Sequence, residues 1–306
     1  MHYMTAVSLE MSDEPKDFMK RILFVLTISL CTQLIMAQNK RALLVGISDY
    51  QCVNKYGGWN NIHGKNDVDL LYPTLKRNGF VVSCISDKGA TKTGIAKALN
   101  VLISQCKTGD IVYLHFSTHG QPFEDESGDE DDGWDESIVP VDAPIEYTKG
   151  KYEGGNHLID DELHDYCSRI RKVIGKDGML YVVIDACHAG KASMGIEEEI
   201  IRGTKAGFTR SGKYYRPQKL ERGNFYNIPS SPSLGKVVFI EACRAYQVNK
   251  EIVESGKYYG ALSYYINRVL SNHKLTKDTK WIETVKDMMG KDTRLTNQNM
   301  VIEYSK

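Results

Sequence analysis

The chain has no CxxC pair. Its seven cysteines (Cys31, Cys52, Cys84, Cys106, Cys167, Cys187 and Cys243) are scattered through 306 residues, which argues against a disulfide framework and offers no metal-ligand spacing. It has no surplus of either charge: Lys+Arg and Asp+Glu both number 39, whereas a nucleic-acid surface needs a basic excess. It has no apolar run long enough for a comfortable membrane span. It also has no internal repeat, apart from an echo between Ile184-Asp185-Ala186-Cys187 and Ile240-Glu241-Ala242-Cys243. Hydrophobic residues make up 42% of the chain, enough to bury a sizeable core as one large domain or two small ones.

From Met19 the sequence reads Met-Lys-Arg, then the apolar run Ile22 to Leu30, then a less apolar stretch ending at Ala37-Gln38. A basic start, a short apolar centre and a small residue before the break describe a secretory signal peptide over 19–37. Residues 1–18 are polar and patternless and read as a non-native or unstructured leader, with Met19 as the true start. The expected location is therefore secreted or periplasmic, without stable membrane insertion once the signal is removed. The alternative is a buried N-terminal helix.

From Lys40 the pattern alternates between apolar runs and amphipathic stretches. Strands are expected at Lys40–Ile47, Gly79–Ile85, Ile111–Phe116, Leu180–Asp185 and Lys236–Ala242, with a short extended segment near Met300–Ile302. Helical spacing marks Asn66–Asn78, where Pro73 must sit near the start or bend the helix, and Thr93–Cys106. Further helices are expected around Tyr259–Ser271 and Trp281–Met289. Ile159–Leu163 reads as a helix start with an aspartate as N-cap. Strands separated by helices imply a mostly parallel, doubly wound α/β sheet, whose site lies at the carboxyl ends of its strands. Residues 190–235, rich in Gly, Ser, Lys, Arg and Tyr, read as a long exposed loop within a domain spanning 38–306.

Two stretches fall at such strand ends: His115-Phe116-Ser117-Thr118-His119-Gly120 and Asp185-Ala186-Cys187-His188-Ala189-Gly190. A thiol at one strand tip and an imidazole at another is the layout of a cysteine nucleophile with its base. His115, in mid-strand, reads as a packed or hydrogen-bonded core histidine. Cys187 alone could be a small buried hydrophobe, but His119 and Cys187 together, 68 positions apart, match the wide spacing of caspase-type pairs. Cys243 is the only rival nucleophile; it lacks a following glycine turn and reads as core. Cys187 is expected to be the first thiol alkylated.

On these residues the chain resembles the caspase-like cysteine peptidases, and the metacaspases more than the animal caspases. The matching stretches are Ala42–Ile47, Gly64–Val68, Ser117–Gly120, Asp132–Glu136 running into Val139–Asp142, Ile159–Leu163, Asp185–Gly190, and Glu241–Ala245 through Glu251 to Gly260-Ala261-Leu262. The resemblance implies a three-layer sandwich with a central sheet of about six strands flanked by helices. It implies His119 as general base and acid, Cys187 as nucleophile, and an oxyanion hole from backbone N–H groups at Gly120 and Cys187. No third carboxylate is needed.

Animal caspases carry glutamine two residues before the nucleophile; this chain has Asp185 there. Asp67 and Ser117 match other metacaspase pocket positions. An acidic pocket suits a cation, so the expected substrates are proteins or peptides with Arg or Lys before the scissile bond, not nucleic acid, taken by a monomer. The resemblance also raises calcium as an activator, although the chemistry needs no cofactor. Glu124–Glu136 holds nine carboxylates in thirteen residues, and Asp135, Asp160 and Asp161 match calcium-binding positions. The run is not an EF-hand, with Gly128 and Glu130 at ligand positions, and a solvated acidic loop explains it equally. The 190–235 connection carries Lys191, Arg202, Lys205, Arg210, Lys213, Arg216, Lys219 and Arg222, candidate sites for self-processing in a zymogen. The alternative function is a non-catalytic caspase-fold module that binds peptides or partner proteins.

Overall fold

The computed structural model describes residues 39–53, 57–128, 130, 132–188, 199–217 and 231–305. The expected leader and signal peptide lie outside the described residues. In chain order the elements are β1 (Lys40–Gly46), α1 (Gly64–Arg77), β2 (Phe80–Ser86), α2 (Lys92–Gln105), β3 (Ile111–Ser117), β4 (His119–Glu124), β5 (Trp134–Val139) and β6 (Leu158–Ile159). They continue with α3 (Asp160–Ile174), β7 (Met179–Asp185), β8 (Lys236–Glu241), β9 (Glu251–Glu254), β10 (Lys257–Gly260), α4 (Ala261–Leu270), α5 (Lys280–Lys291) and β11 (Val301–Tyr304).

Six strands form one sheet in the order β11-β8-β7-β3-β1-β2. Five run parallel, and β11 pairs antiparallel with β8 at one edge. Every residue of β3 and β7 is buried, as expected of strands covered on both faces, and their runs read as continuous apolar stretches rather than alternating ones. Alternation nevertheless sorts their side chains. Leu43, Val112, Leu114, Leu180 and Val182 pack with Ile95 and Leu99 of α2 and Leu163 and Ile170 of α3. Leu44, Tyr113, Tyr181 and Val183 point the other way, against Leu71 of α1, Ile266 of α4 and Val285 of α5. Helices on both faces of a parallel sheet make the expected three-layer α/β sandwich.

Two local details bear on the expectations. Of the two alternatives for Pro73, a place near the start of α1 is excluded, because it sits well inside the helix. It lies on the exposed side of the helix, so the carbonyl of Asp69 that loses its helical donor faces water. At α3 the N-cap is Ile159, with no side-chain cap; the aspartates occupy the first turn instead, where the helix dipole favours them.

The strand ends are held in register. Gly46 is paired with Ser117, and Ser117 with Asp185, so β1, β3 and β7 finish at one level. Gly46 and Gly64 let α1 start hard against that rim: a Cβ on Gly46 would overlap the carbonyl oxygen of Gly64, and one on Gly64 that of Ser117. This close approach carries Asp67, in the first turn of α1, to Ser117. A second, antiparallel sheet, β4-β5-β6, leaves the same rim through His119. The acidic stretch is thus largely the β4–β5 hairpin and its turn. The β9–β10 hairpin turns at Ser255 and Gly256, both at positive φ, as a tight two-residue turn requires. Among the described residues no helix is long and apolar enough to cross a membrane.

Candidate active site

His119 begins β4 directly beyond β3. Its backbone N–H donates to the Tyr50 hydroxyl at 2.8 Å, and that hydroxyl donates to the Val139 carbonyl at 3.0 Å. The imidazole is stacked on Trp59 with ring centroids 4.7 Å apart, and Tyr50 closes its other side at 4.7 Å. Its Nε2 lies 2.9 Å from the carbonyl oxygen of Asn60. A carbonyl only accepts, so Nε2 carries the proton and Nδ1 holds the free lone pair. Nδ1 is buried and has no hydrogen-bond partner among the described residues. Burial pushes the ring down to about 4, against the Asn60 hydrogen bond and the Glu251 charge that raise it. The ring is therefore neutral at pH 7.

Cys187, just past β7, is buried. Its backbone N–H donates to the carbonyl oxygen of Arg202 at 2.9 Å, and the Gly120 N–H donates to the same oxygen at 3.2 Å. The two N–H groups expected at an oxyanion hole thus converge on one carbonyl of the chain itself. Gly120 must be glycine for this: a Cβ there would come within 2.6 Å of the Cys187 carbonyl oxygen and 2.9 Å of His188 Nε2. His188 is buried, 3.3 Å from the Ser137 carbonyl, and pushed down to about 4 by burial. His115 bridges the Tyr113 hydroxyl and Ser263 Oγ within the core.

The Arg202 side chain is fully buried among carboxylates. Its Nη1 donates to Asp67 Oδ2 at 2.7 Å and to Ser117 Oγ, and Ser117 donates onward to Asp67. Asp185 Oδ1 lies 3.6 Å from the same nitrogen. Nε and Nη2 donate to Glu251 Oε1 at 3.1 and 2.9 Å. Asp67, Ser117 and Asp185, picked out from sequence, are therefore brought together around one guanidinium. Each carboxylate is pinned from behind: Asp67 by the Gly260 N–H at 3.0 Å, Asp185 by Asn249 at 2.7 Å and by Ser263 N–H and Oγ at 2.9 and 2.6 Å, and Glu251 by His63. Burial pushes Asp67 up to about 7 against the pull of Arg202. Glu251 is held below the ordinary range, because Arg202 and the His63 hydrogen bonds outweigh its burial. Burial also works against the charged guanidinium, but the three carboxylates outweigh it and keep Arg202 charged.

The backbone around Arg202 is extended. Its N–H donates to the Asn249 carbonyl at 3.1 Å, Glu251 N–H donates to Ile200 at 2.9 Å, and Ile201 bridges antiparallel to Lys250. Downstream, Gly203 bridges to both Gly120 and Cys187, and Phe208 bridges to Phe123. Glu124 then accepts from Thr209 Oγ1 at 2.6 Å and from the N–H groups of Arg210 and Ser211 at 2.9 and 3.0 Å. Within the connection expected to be a long exposed loop, Arg202, Phe208 and Tyr215 are buried. Residues 189–198 and 218–230 lie outside the described residues. The expectation that Cys187 is the first thiol alkylated also needs correction, because Cys187 is covered while Cys52 and Cys84 are exposed.

Sequence reasoning gave no roles to Glu251, Asn249, Ser263, Tyr50 and Trp59. Glu251 and Gly260 stood inside a stretch matched to the family, but nothing in their spacing showed that β9 would face the pocket. Cys243, at the tip of β8, is buried; its Sγ donates to the Gln247 carbonyl at 3.5 Å, and hydrogen bonding to Cys187 and burial push its thiol well up.

Asp135 and Asp160 are buried. Burial, followed by the charges of Asp135, Glu130 and Asp161, pushes Asp160 up to about 8. These oxygens are of the kind calcium takes, yet among the described residues no three His, Cys, Asp or Glu side chains converge to hold one ion.

Residues 40–194 match the family model for the metacaspase, peptidase C14 domain. Metacaspase-1 of Candida albicans is 24% identical over 296 residues, covering 82% of this chain and 62% of that protein. Metacaspase-2 of Arabidopsis thaliana is 32% identical over 161 residues, covering 49% of this chain and 34% of that protein. Among solved structures, protein GSU0716 from Geobacter sulfurreducens superposes with a TM-score of 0.59 at 20% identity, over 87% of this chain and 93% of that one. The chain spans about a third to three fifths of the length of the first curated relatives it matches.

Proposed function

The chain belongs to the metacaspase, peptidase C14 family, and from that premise we propose that it is a cysteine endopeptidase that cuts after Arg or Lys through Cys187 and His119. One observation carries the reading. Arg202 lies with its guanidinium among Asp67, Asp185 and Glu251 while its carbonyl oxygen accepts from Gly120 and Cys187. A substrate residue would place its side chain and its reacting carbonyl in those same two places.

The chemistry follows from the groups present. Neutral His119 takes the Cys187 proton at Nδ1, and the thiolate attacks the carbonyl carbon. The oxygen gains negative charge, which the two N–H groups are placed to stabilise. The imidazolium returns its proton to the departing amine as the C–N bond breaks. Water, deprotonated by His119, then hydrolyses the thioester and frees the thiol. The Asn60 carbonyl orients the ring throughout, which is why no carboxylate is required.

The test uses internally quenched peptides that differ only before the scissile bond. Arg and Lys peptides should be cut, Asp peptides should not, and Cys187→Ala should stop turnover. A preference for Asp would overturn the pocket reading. If peptides bind but none is cut, the chain is a non-catalytic peptide-binding module instead.

Calcium enters this proposal as an activator through Asp135, Asp160 and Asp161. Since no three ligands converge there among the described residues, no step runs through the ion. Calcium added to metal-depleted protein should raise turnover, and Asp160→Asn should remove the response; indifference to calcium removes the activator. The signal peptide over 19–37 supports a secreted or periplasmic enzyme. Sequencing of exported protein should give a mature N-terminus at Gln38.

A further inference from the structure

The backbone of residue 203 is confined as tightly as the side chain of residue 202. Gly203 is bridged on one side to Gly120 and on the other to Cys187, and the Thr204 N–H donates to the Gly120 carbonyl at 3.3 Å. A Cβ on Gly203 would overlap the Cys187 carbonyl oxygen and lie 2.7 and 2.8 Å from its carbonyl carbon and Sγ. These are atoms of the nucleophile's own residue. Its backbone cannot retreat without withdrawing the N–H that holds the Arg202 carbonyl. Gly203 does not adopt a left-handed conformation, so the exclusion is steric and applies to any side chain.

We propose that this site selects its scissile bond from both sides, requiring glycine after the basic residue, and that the chain's own Arg202–Gly203 bond is the one its site is built around. The proposal rests on the peptidase reading above and narrows its substrate class to basic–glycine bonds. In the reaction, Cys187 Sγ bonds to the Arg202 carbonyl carbon and the Arg202–Gly203 C–N bond breaks. The proton that His119 took from the thiol goes to the new Gly203 amine, and water completes the hydrolysis to a carboxylate at Arg202. Of the eight basic residues in the connection, only Arg202 and Arg222 precede glycine; Lys191, Lys205, Arg210, Lys213, Arg216 and Lys219 precede Ala, Ala, Ser, Tyr, Pro and Leu. The segment after the bond is clamped along β4 by Phe208 and Glu124, so the halves are expected to stay associated after the cut.

Two measurements test this on the full chain. The first is mass spectrometry and N-terminal sequencing of self-processed protein, which should find a new terminus at Gly203 that is absent from Cys187→Ala. Termini at Ala192, Ala206, Ser211, Tyr214 or Leu220 in its place would overturn the proposal. The second gives the wild-type enzyme the peptides Ile-Ile-Arg-Gly-Thr, Ile-Ile-Arg-Ala-Thr, Ile-Ile-Arg-Val-Thr and Ile-Ile-Asp-Gly-Thr in internally quenched form. Crowding of a packed site by added carbons costs enough for kcat/KM to fall about 10- to 100-fold from Gly to Val. Equal cleavage of the Gly, Ala and Val peptides overturns the glycine requirement while leaving the peptidase reading intact. Failure to cut any of the Arg peptides overturns the peptidase reading itself, whereas equal cleavage of Asp–Gly overturns the basic pocket. Because this arm needs no variant, it does not depend on how a Gly203 substitution folds.

Discussion

β7 and β8 are neighbours that end alike, one in Ile184-Asp185-Ala186-Cys187 and the other in Ile240-Glu241-Ala242-Cys243. Among the described residues, only the first has a substrate-like carbonyl on its cysteine N–H. The difference lies in their surroundings. β7 adjoins β3, whose chain continues into His119 and Gly120, so an imidazole and a second N–H stand beside Cys187. β8 is flanked on its far side by the antiparallel edge strand β11, which brings neither. Asp185 meets Arg202, Asn249 and Ser263. A short motif therefore gains its chemistry from the strand beside it.

Exchanging the two thiols should give the largest contrast. Cys187→Ala should reduce cleavage of an Arg–Gly peptide to background, because the bond-forming atom is gone. Cys243→Ala should retain turnover within about tenfold, the worth of one lost hydrogen bond to Cys187. If Cys243→Ala is as dead as Cys187→Ala, the two strand ends act as one unit and the contrast fails.

The two acids come next. Asp185→Asn leaves a buried guanidinium short of a carboxylate, and removing one member of a buried charge pair costs about 2–5 kcal/mol. The KM for Arg peptides should rise about 100-fold, with a smaller change in kcat, because Asp185 holds the side chain and not the reacting carbonyl. Glu241→Gln should change KM little. Measuring both parameters matters, since a merely misfolded Asp185→Asn chain would lose kcat and KM together, along with its circular dichroism.

Gly120→Ala falls between these in kind. It leaves thiol, imidazole and pocket in place but drives a methyl towards the Cys187 carbonyl and His188. Losing one oxyanion donor costs about 100- to 1000-fold in kcat, so kcat should fall while KM stays near wild type. A rise in KM alone would mean that the Gly120 N–H does not serve the reacting oxygen.

Much of this was legible in the sequence because local patterns carry it. Continuous apolar runs gave β1, β3, β7 and β8. Strand-end motifs gave His119 and Cys187, and Asp67, Ser117 and Asp185 followed from the family resemblance. What stayed hidden depends on contacts distant in sequence. Glu251 reaches Arg202 across 49 positions and His63 across 188. The burial of Arg202, Phe208 and Tyr215 could not be read either: a stretch rich in Gly, Lys, Arg and Tyr has the composition of an exposed loop, and only the carboxylate pocket reverses that for Arg202. The second sheet was missed because β4 starts at the catalytic-looking His119-Gly120 turn itself, and its partner β5 lies beyond an acidic run with no strand pattern of its own.

The smallest expected effect is one of pH, and it separates the covered site from the open one. With the 200–208 segment in place, burial holds His119 at about 4. Only the neutral ring can take the Cys187 proton, so self-cleavage should persist as pH falls and fail only near 4. In a site vacated by that segment the ring regains water, and its pKa returns towards the ordinary value of about 6.5. The acid limb of kcat/KM, which reports the free enzyme, should then sit well above the acid limb of the first cut in cis. Following both reactions from pH 4 to 8 on the same protein checks this. Coincident limbs would mean that the segment does not shield His119, and that the burial seen around Arg202 is not what sets the base.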